Sequence, residues 1–245
     1  MGTAVIFIAI DDTDTLESRG TGYLARRLGA LLAEDGDEPL GITRHQLLVD
    51  PRIPYTSHNS SACIALRTSR SVSEIASVAG AALASHAAAG SDPGLCVMAS
   101  DAVGRGIVSY GERAKRELVG PDEARALAET HGARLESHGG TGLGIIGALA
   151  AVGLRAGGND GRFLELRGIR AVEGTVTVAA LHKTGVEAFA SEGRPLALDE
   201  NERIDVGDWC RPVLLGGLAT LLVEEVTGDG AIHWRARARE HVRSR

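Results

Sequence analysis

Apolar residues run without a break through positions 4–10, Ala-Val-Ile-Phe-Ile-Ala-Ile, and stop at Asp11, Asp12, Thr13 and Asp14. A short continuous apolar run of this kind, ended by polar turn formers, reads as a strand buried on both faces. After the acidic turn the period changes. Tyr23, Leu24, Leu28, Leu31 and Leu32 recur at helical spacing, which predicts a helix over 21–33 with Thr21 as its N-cap. Apolar stretches at 46–49 and 62–66 read as strands, joined by a polar loop over 50–61 that carries two prolines. An Ala-rich helix is expected over 71–89, capped by Ser71 or Ser73 with Glu74 close behind. A strand at 95–99, a helix at 121–131 with Pro121 in its first turn, and a small-residue helix at 145–152 follow. Beyond Gly157 the pattern predicts strands at 163–169, 175–181 and 218–226. The alternation of strands and helices predicts a mixed α/β chain.

Composition narrows this picture. With 245 residues and 44% hydrophobic content the chain is long enough for one large domain or two small ones. A formal net charge of −6 and a pI near 5.8 speak against broad, charge-driven nucleic-acid binding. Arg235, Arg237, Arg239, Arg243 and Arg245 make a local exception that reads first as a solvated terminus, the alternative being a short strand with the first three on one side. Cys63, Cys96 and Cys210 are widely separated and form no CxxC pair, so buried reduced thiols are expected rather than a zinc site or disulfides. Neither a signal-peptide pattern nor an apolar run of membrane-spanning length occurs, and the expectation is a cytoplasmic protein without a membrane partner.

The candidate chemistry lies in the interruptions. Asp11, Asp12 and Asp14 bring three carboxylates to the end of one strand, where like charges are costly unless a cation or proton is shared. Oxygen ligands suit magnesium, which takes remaining ligands from water and substrate phosphates. Asp and Thr are equally ordinary turn formers and caps. A second feature is the cluster Gly139, Gly140, Thr141, Gly142 and Gly144 ahead of the small-residue helix. Glycines allow backbone amides to approach phosphate, and the helix start adds partial positive charge. Without a Walker lysine, the same glycines also read as a turn and a tightly packed helix. His58 and His138 lie in motif regions and could serve as bases or merely hold loops. Asp101, Arg105 and Lys183 are further polar loop residues that nothing in their spacing distinguishes.

Three segments together resemble the agmatidine synthetase (TiaS) family, whose members modify a cytidine in the anticodon of an archaeal isoleucine tRNA. They are the acidic turn with Gly20, Thr21, Gly22, Tyr23, Leu24 and Ala25, the stretch Asp50, Pro51, Arg52, Ile53, Pro54, Tyr55 and Thr56, and the glycine-rich positions 142–153. The resemblance covers about the first 155 residues. It implies an ATP-dependent, kinase-like core with a ferredoxin-like part beside it. It also implies that Asp11, Asp12 and Asp14 hold Mg2+ and nucleotide phosphates, that Thr21 matches a threonine that becomes phosphorylated, and that the 139–144 loop covers phosphates. Two departures matter. His58, Asn59, Ser60 and Ser61 stand where the family has a basic, glycine-rich patch, and His138, Gly139, Gly140 and Thr141 replace its Lys and Arg ahead of the glycine loop. The family's OB-fold and zinc ribbon find no counterpart in this sequence.

The expected fold is α/β (α+β), with an ATP-binding kinase-like region over 1–135 and a glycine-loop helix plus an α+β, ferredoxin-like region over 136–245, the two forming one compact unit. The expected function is a Mg-ATP-dependent phosphotransferase or ligase-type enzyme. Its nucleotide and substrate contacts would include His58, Asn59, Gly139, Gly140, Thr141, Gly142 and Gly144. A small polar acceptor is favoured over tRNA, and an oligomer is open. Against this stand a non-catalytic nucleotide- or RNA-binding module acting with a partner protein, and an assembly protein whose acidic turn is only a cap.

Overall fold

A computed structural model describes residues 2–56, 58–228 and 231–237, so Arg239, Arg243 and Arg245 of the basic tail lie outside the described residues. The chain forms two compact units, Met1–Gly157 and Gly158–Arg245.

The first unit runs β1 (Ala4–Asp11), α1 (Thr21–Glu34), β2 (Glu38–Gln46), β3 (Ser60–Thr68), α2 (Val72–His86), β4 (Gly94–Ala99), α3 (Arg105–Ala114), α4 (Pro121–His131), β5 (Arg134–Ser137) and α5 (Gly144–Gly157). Its sheet has the order β5-β4-β1-β3-β2, every neighbouring pair antiparallel. The first six elements, with their strands in the order β4-β1-β3-β2, form the ferredoxin-like split βαβ arrangement. This βαββαβ pattern lies wholly within the first unit.

Helices cover both faces of this sheet, which explains why β1 is apolar at every position rather than alternating. Phe7 and Ala9 of β1, Cys63 and Ala65 of β3, and Cys96 and Met98 of β4 pack with Ile107 and Tyr110 of α3 and with residues 148–152 of α5. The intervening residues Ile6, Ile8, Ile10, Ile64, Leu66, Leu95 and Val97 are buried on the opposite face, where α1 lies along β2 and β3 and α2 along β4. Helix α5 sits against β1, β3 and β4, with α3 packed on it. This is why the unit closes at Gly157 and not at 135: the glycine-loop helix supplies one wall of the first core.

Local signals are realised in several places. Ser71 caps α2 in a full capping box with Glu74, and Pro121 opens α4. Other expectations fail for identifiable reasons. The strand expected at 46–49 is in fact β2, Glu38–Gln46; a register shift between Pro39 and Gly41 and the polar run Thr43, Arg44, His45 hide its period. Thr43 and His45 are nevertheless buried, with the Thr43 hydroxyl 2.8 Å from His45 Nε2. Helix α3 and strand β5 had no expected counterpart.

The second unit contains β6 (Arg162–Glu165), β7 (Thr175–Thr177), α6 (Val178–Lys183), β8 (Ala188–Ser191), β9 (Arg194–Leu196), β10 (Arg203–Asp205), β11 (Val213–Leu215), β12 (Leu218–Gly228) and β13 (Ala231–Ala236). Its strands follow the order β6-β11-β12-β13-β10-β7, with β8 parallel to β12 and β9 beside β8. Phe163, Val178, Leu181, Phe189, Ile204, Leu214, Leu221 and Val223 belong to its core. Gly216 and Gly217, with φ of 61° and 80°, form the two-residue turn that joins β11 to β12. The strand expected at 175–181 stops at Thr177, because that hydroxyl accepts the Ala180 N–H at 3.2 Å and starts α6. The strand expected at 163–169 stops at Glu165, and a 3₁₀ turn over Ile169–Ala171 follows Gly168 in the left-handed region.

Candidate functional site

One cleft of about 510 Å³ in the first unit collects most of the residues singled out from the sequence. Asp11, Asp12, Asp14, Thr21, His58, Asn59, Gly140, Thr141 and Gly144 all line it. Gly139 and Gly142 do not, and neither do His138, Asp101, Arg105 or Lys183. His138 points elsewhere: its Nε2 lies 3.2 Å from Glu136, and its ring packs against Gly80 of α2.

The acidic turn is held from three sides. Asp11 ends β1, and its carboxylate lies so close to α5 that a Cβ on Gly147 would sit 1.7 Å from Asp11 Oδ2. Asp12 adopts a left-handed backbone with φ 50°, a conformation that Asp tolerates better than most residues. Its carbonyl accepts the Asp92 N–H at 3.1 Å, and the Thr13 carbonyl accepts the Ala88 N–H at 3.0 Å.

Asp14 has a separate task. Its Oδ1 accepts the Thr21 hydroxyl at 2.7 Å and the Thr21 N–H at 3.1 Å, while Oδ2 accepts the Thr56 hydroxyl at 3.3 Å. The Thr13 hydroxyl donates in turn to Thr21 Oγ1 at 3.1 Å. Thr21 is thus not the N-cap of α1. Gly20 occupies that position without a side-chain bond, and Asp14 supplies the oxygen that satisfies the first helical N–H.

Burial pushes the Asp11 carboxyl up to about 7, reinforced by the charges of Asp12, Asp14 and Asp92 and opposed by a bond from the Asp12 N–H. Burial, Asp92 and Asp14 push Asp12 up to about 6. Like charges therefore face one another across this turn. Among the described residues, however, no three Asp, Glu, His or Cys side chains converge closely enough to share one metal ion. Asp14 differs from Asp11 and Asp12 in that both of its oxygens are turned to threonines.

The glycine loop contains the larger surprise. Asp92 Oδ1 accepts the Gly142 N–H at 2.8 Å, and Oδ2 accepts the Leu143 N–H at 2.9 Å and the Thr141 hydroxyl at 2.6 Å. Burial alone would raise the Asp92 pKa, but these bonds together hold it below its ordinary value. A Cβ on Gly140 would strike the Asp92 side chain, and one on Gly144 would lie 2.0 Å from the Asp92 carbonyl oxygen. These glycines make room for the chain's own segment 92–94, and two amides expected to face phosphate face a carboxylate instead.

Sequence reasoning missed Asp92, Glu117, and the apolar side formed by Leu47, Ala114, Leu118, Val119 and Ile146. A signal for Asp92 existed: Ser91, Asp92 and Pro93, residues typical of turns, lead directly into Gly94, the first residue of β4, which pairs with β1. Among the described cleft residues Asp11, Asp12, Asp14, Asp92 and Glu117 are acidic, whereas Arg52 is basic and its guanidinium is bound to Asp50 at 2.8 and 2.7 Å.

Fold and cleft together define a mixed α/β protein with an acid-lined pocket closed by a glycine loop. The chain is similar to TiaS of Cenarchaeum symbiosum (strain A), a 2-agmatinylcytidine synthetase for an isoleucine tRNA, at 27% identity over 165 residues, covering 66% of this chain and 36% of that protein. Its fold resembles the crystal structure of apo TiaS, an isoleucine-tRNA agmatidine synthetase, with a TM-score of 0.51 and 26% identity over 61% of this chain and 35% of the other. The complex of TiaS with its isoleucine tRNA and ATP gives a TM-score of 0.52 and 25% identity over 61% of this chain and 36% of the other. The chain spans about a third of the length of these relatives. No family model matches it.

Proposed function

We infer that the cleft is the nucleotide site of a TiaS-related, Mg-ATP-dependent phosphotransferase or ligase-type enzyme. The observation that carries this reading is the convergence of the acidic turn, Thr21 and the glycine loop on one pocket, in a fold similar to a protein solved with ATP. Phosphoryl transfer needs positioning and charge neutralisation more than covalent help, so a site of oxygen donors and backbone dipoles suits it.

Asp11 and Asp12 fit magnesium, because both carboxyls are forced upward by burial and by neighbouring negative charge that a divalent cation would relieve. Bound there, the ion would neutralise phosphate oxygens. Asp14 is placed differently, as acceptor for the Thr21 hydroxyl proton. If Thr21 takes a phosphoryl group, its Oγ1 forms the new bond to phosphorus, ADP leaves, and the proton passes to Asp14. The loop at 139–144 closes the phosphate side, with Asp92 fixing its shape.

The acceptor fits a small polar molecule better than a nucleic-acid backbone. Five carboxylates line the cleft among the described residues, and the Arg52 guanidinium is engaged by Asp50, so an acceptor's phosphates, with no magnesium ion to neutralise them, would meet repulsion. One observation favours the non-catalytic alternative. Asp14 caps α1 and Asp92 caps the glycine loop, so both have structural work whether or not a nucleotide binds.

Thermal unfolding with ATP or GTP, with and without magnesium, tests the reading. A ligand at about 100 times its dissociation constant adds roughly 2.7 kcal/mol to stability. The expected result is a magnesium-dependent upward shift that Asp12→Ala abolishes. No shift at millimolar nucleotide would overturn the nucleotide site, and binding without acceptor-dependent ADP release would favour the non-catalytic module.

A further inference from the structure

Asp92 touches both halves of the site through different atoms. Its backbone N–H donates to the Asp12 carbonyl and holds the left-handed acidic turn. Its carboxylate gathers the Thr141 hydroxyl and the N–H groups of Gly142 and Leu143. Two residues further on, Gly94 pairs with Asp11 across the β1-β4 ladder, so the segment runs directly beside the last residue of β1. The glycine loop is shaped around it: side chains at 140 or 144 would collide with Asp92 itself. One carboxylate thus holds a loop while the same residue's backbone holds a turn some 130 positions earlier in sequence than that loop.

We propose that Asp92 is a positioning residue of this site, fixing the distance between the acidic turn and the glycine loop and thereby the fit of a nucleotide's phosphate chain between them. The proposal rests on the nucleotide reading above. It assigns the loop's ordering to an internal carboxylate, so that the loop is set before any ligand arrives. The gain is preorganisation: a loop already ordered does not lose further freedom when the ligand binds. An amide in place of the carboxylate cannot reproduce the pattern. An Asn oxygen can still accept from Gly142, but its NH2 group cannot accept from Leu143, leaving that N–H without its charged partner.

The test compares the wild-type chain with Asp92→Asn and Thr141→Val, the latter removing the 2.6 Å hydroxyl bond without touching the carboxylate. Amide hydrogen exchange reads loop order, and titration calorimetry reads the affinity for Mg-ATP, Mg-ADP and AMP. Asp92→Asn is expected to speed exchange at 141–143 and at the acidic turn together, and to weaken Mg-ATP binding about tenfold, the scale of one lost charged hydrogen bond. Thr141→Val is expected to change both in the same direction by less, which keeps the proposal testable if Asp92→Asn does not fold. The loss should grow from AMP to ADP to ATP, a dependence on phosphate number that a merely structural role would not create. Faster exchange with unchanged Mg-ATP affinity, or an equal loss for all three nucleotides, would overturn the positioning role while leaving the nucleotide site standing. Absence of nucleotide binding by the wild type would overturn the nucleotide reading, and this proposal with it.

Discussion

Asp11 and Asp12 are consecutive copies of one side chain, yet they meet different surroundings: the first lies over α5 at Gly147, the second turns back through a left-handed backbone toward Asp92. For Asp11 the pH consequence has a definite sign. Its carboxyl is held at about 7 in the folded protein against an ordinary 3.8, so the folded state keeps the proton over a window in which the unfolded chain has released it. The associated stability is fully present below the ordinary value and is lost as pH rises through about 7. Asp50, Glu74 and Asp92, whose pKa values are lowered, act in the opposite sense, so the raw curve of one protein mixes both. The clean measurement is the difference between Asp11→Asn and wild type in buffer free of divalent ions. The variant's melting temperature should gain on the wild type steadily from about pH 4 to pH 7, and parallel curves would show that burial of Asp11 is not felt. Gly147→Ala tests the same carboxylate from the other side. A methyl group there requires the space held by Asp11 Oδ2, so the carboxylate must move or the helix must shift. The expected result is a loss of the magnesium-dependent thermal shift, out of proportion to the single methyl group added.

Elements explain which sequence signals were legible. Strand β1, the capping box of α2 and the proline start of α4 could be read because each is a local pattern whose physical cause lies within a few residues. The capping box carries a simple expectation: Ser71→Ala should cost about 1 kcal/mol of stability, measured by denaturant unfolding, with nucleotide affinity unchanged because Ser71 does not line the cleft. What was hidden depends on partners distant in sequence. Strand β2 pairs through polar and bulged positions whose burial is decided by β3 and α1, and the Thr43 and His45 side chains are satisfied by each other and by Cys63. The candidate site divides in the same way. The acidic turn stood out because its residues are consecutive, whereas the role of the glycine loop depended on Asp92, some 50 positions earlier. Glycine spacing suggests close approach to something; only the fold shows that the thing approached is another part of the chain. Thr21 illustrates the same limit, since its position before a helix suggested a cap while the capping oxygen comes from Asp14.

At the scale of the whole molecule, the ferredoxin-like βαββαβ arrangement and the site form one object. The acidic turn follows β1, the Asp92 segment precedes β4, and these strands are neighbours in the sheet, so the fold itself brings the two carboxylate-bearing segments together. Helix α5 then completes the arrangement by covering the face that holds Phe7, Ala9, Cys63 and Cys96, carrying the glycine loop at its start. All three cysteines are free and buried, and burial pushes the Cys63 thiol up to about 12, so these thiols behave as core side chains and not as reactive groups. Every described residue that lines the cleft falls within the first unit, which also has its own core. A unit with its own core and site should retain both when separated. A fragment ending at Gly157 is therefore expected to unfold cooperatively and to show the same magnesium-dependent nucleotide shift as the full chain. A fragment that folds but no longer responds to nucleotide would mean that residues beyond 157 contribute to binding. That result would move the search for the acceptor and for further ligand contacts into the second unit, whereas full retention would confine it to the cleft between the acidic turn, the loop over 50–59 and the start of α5.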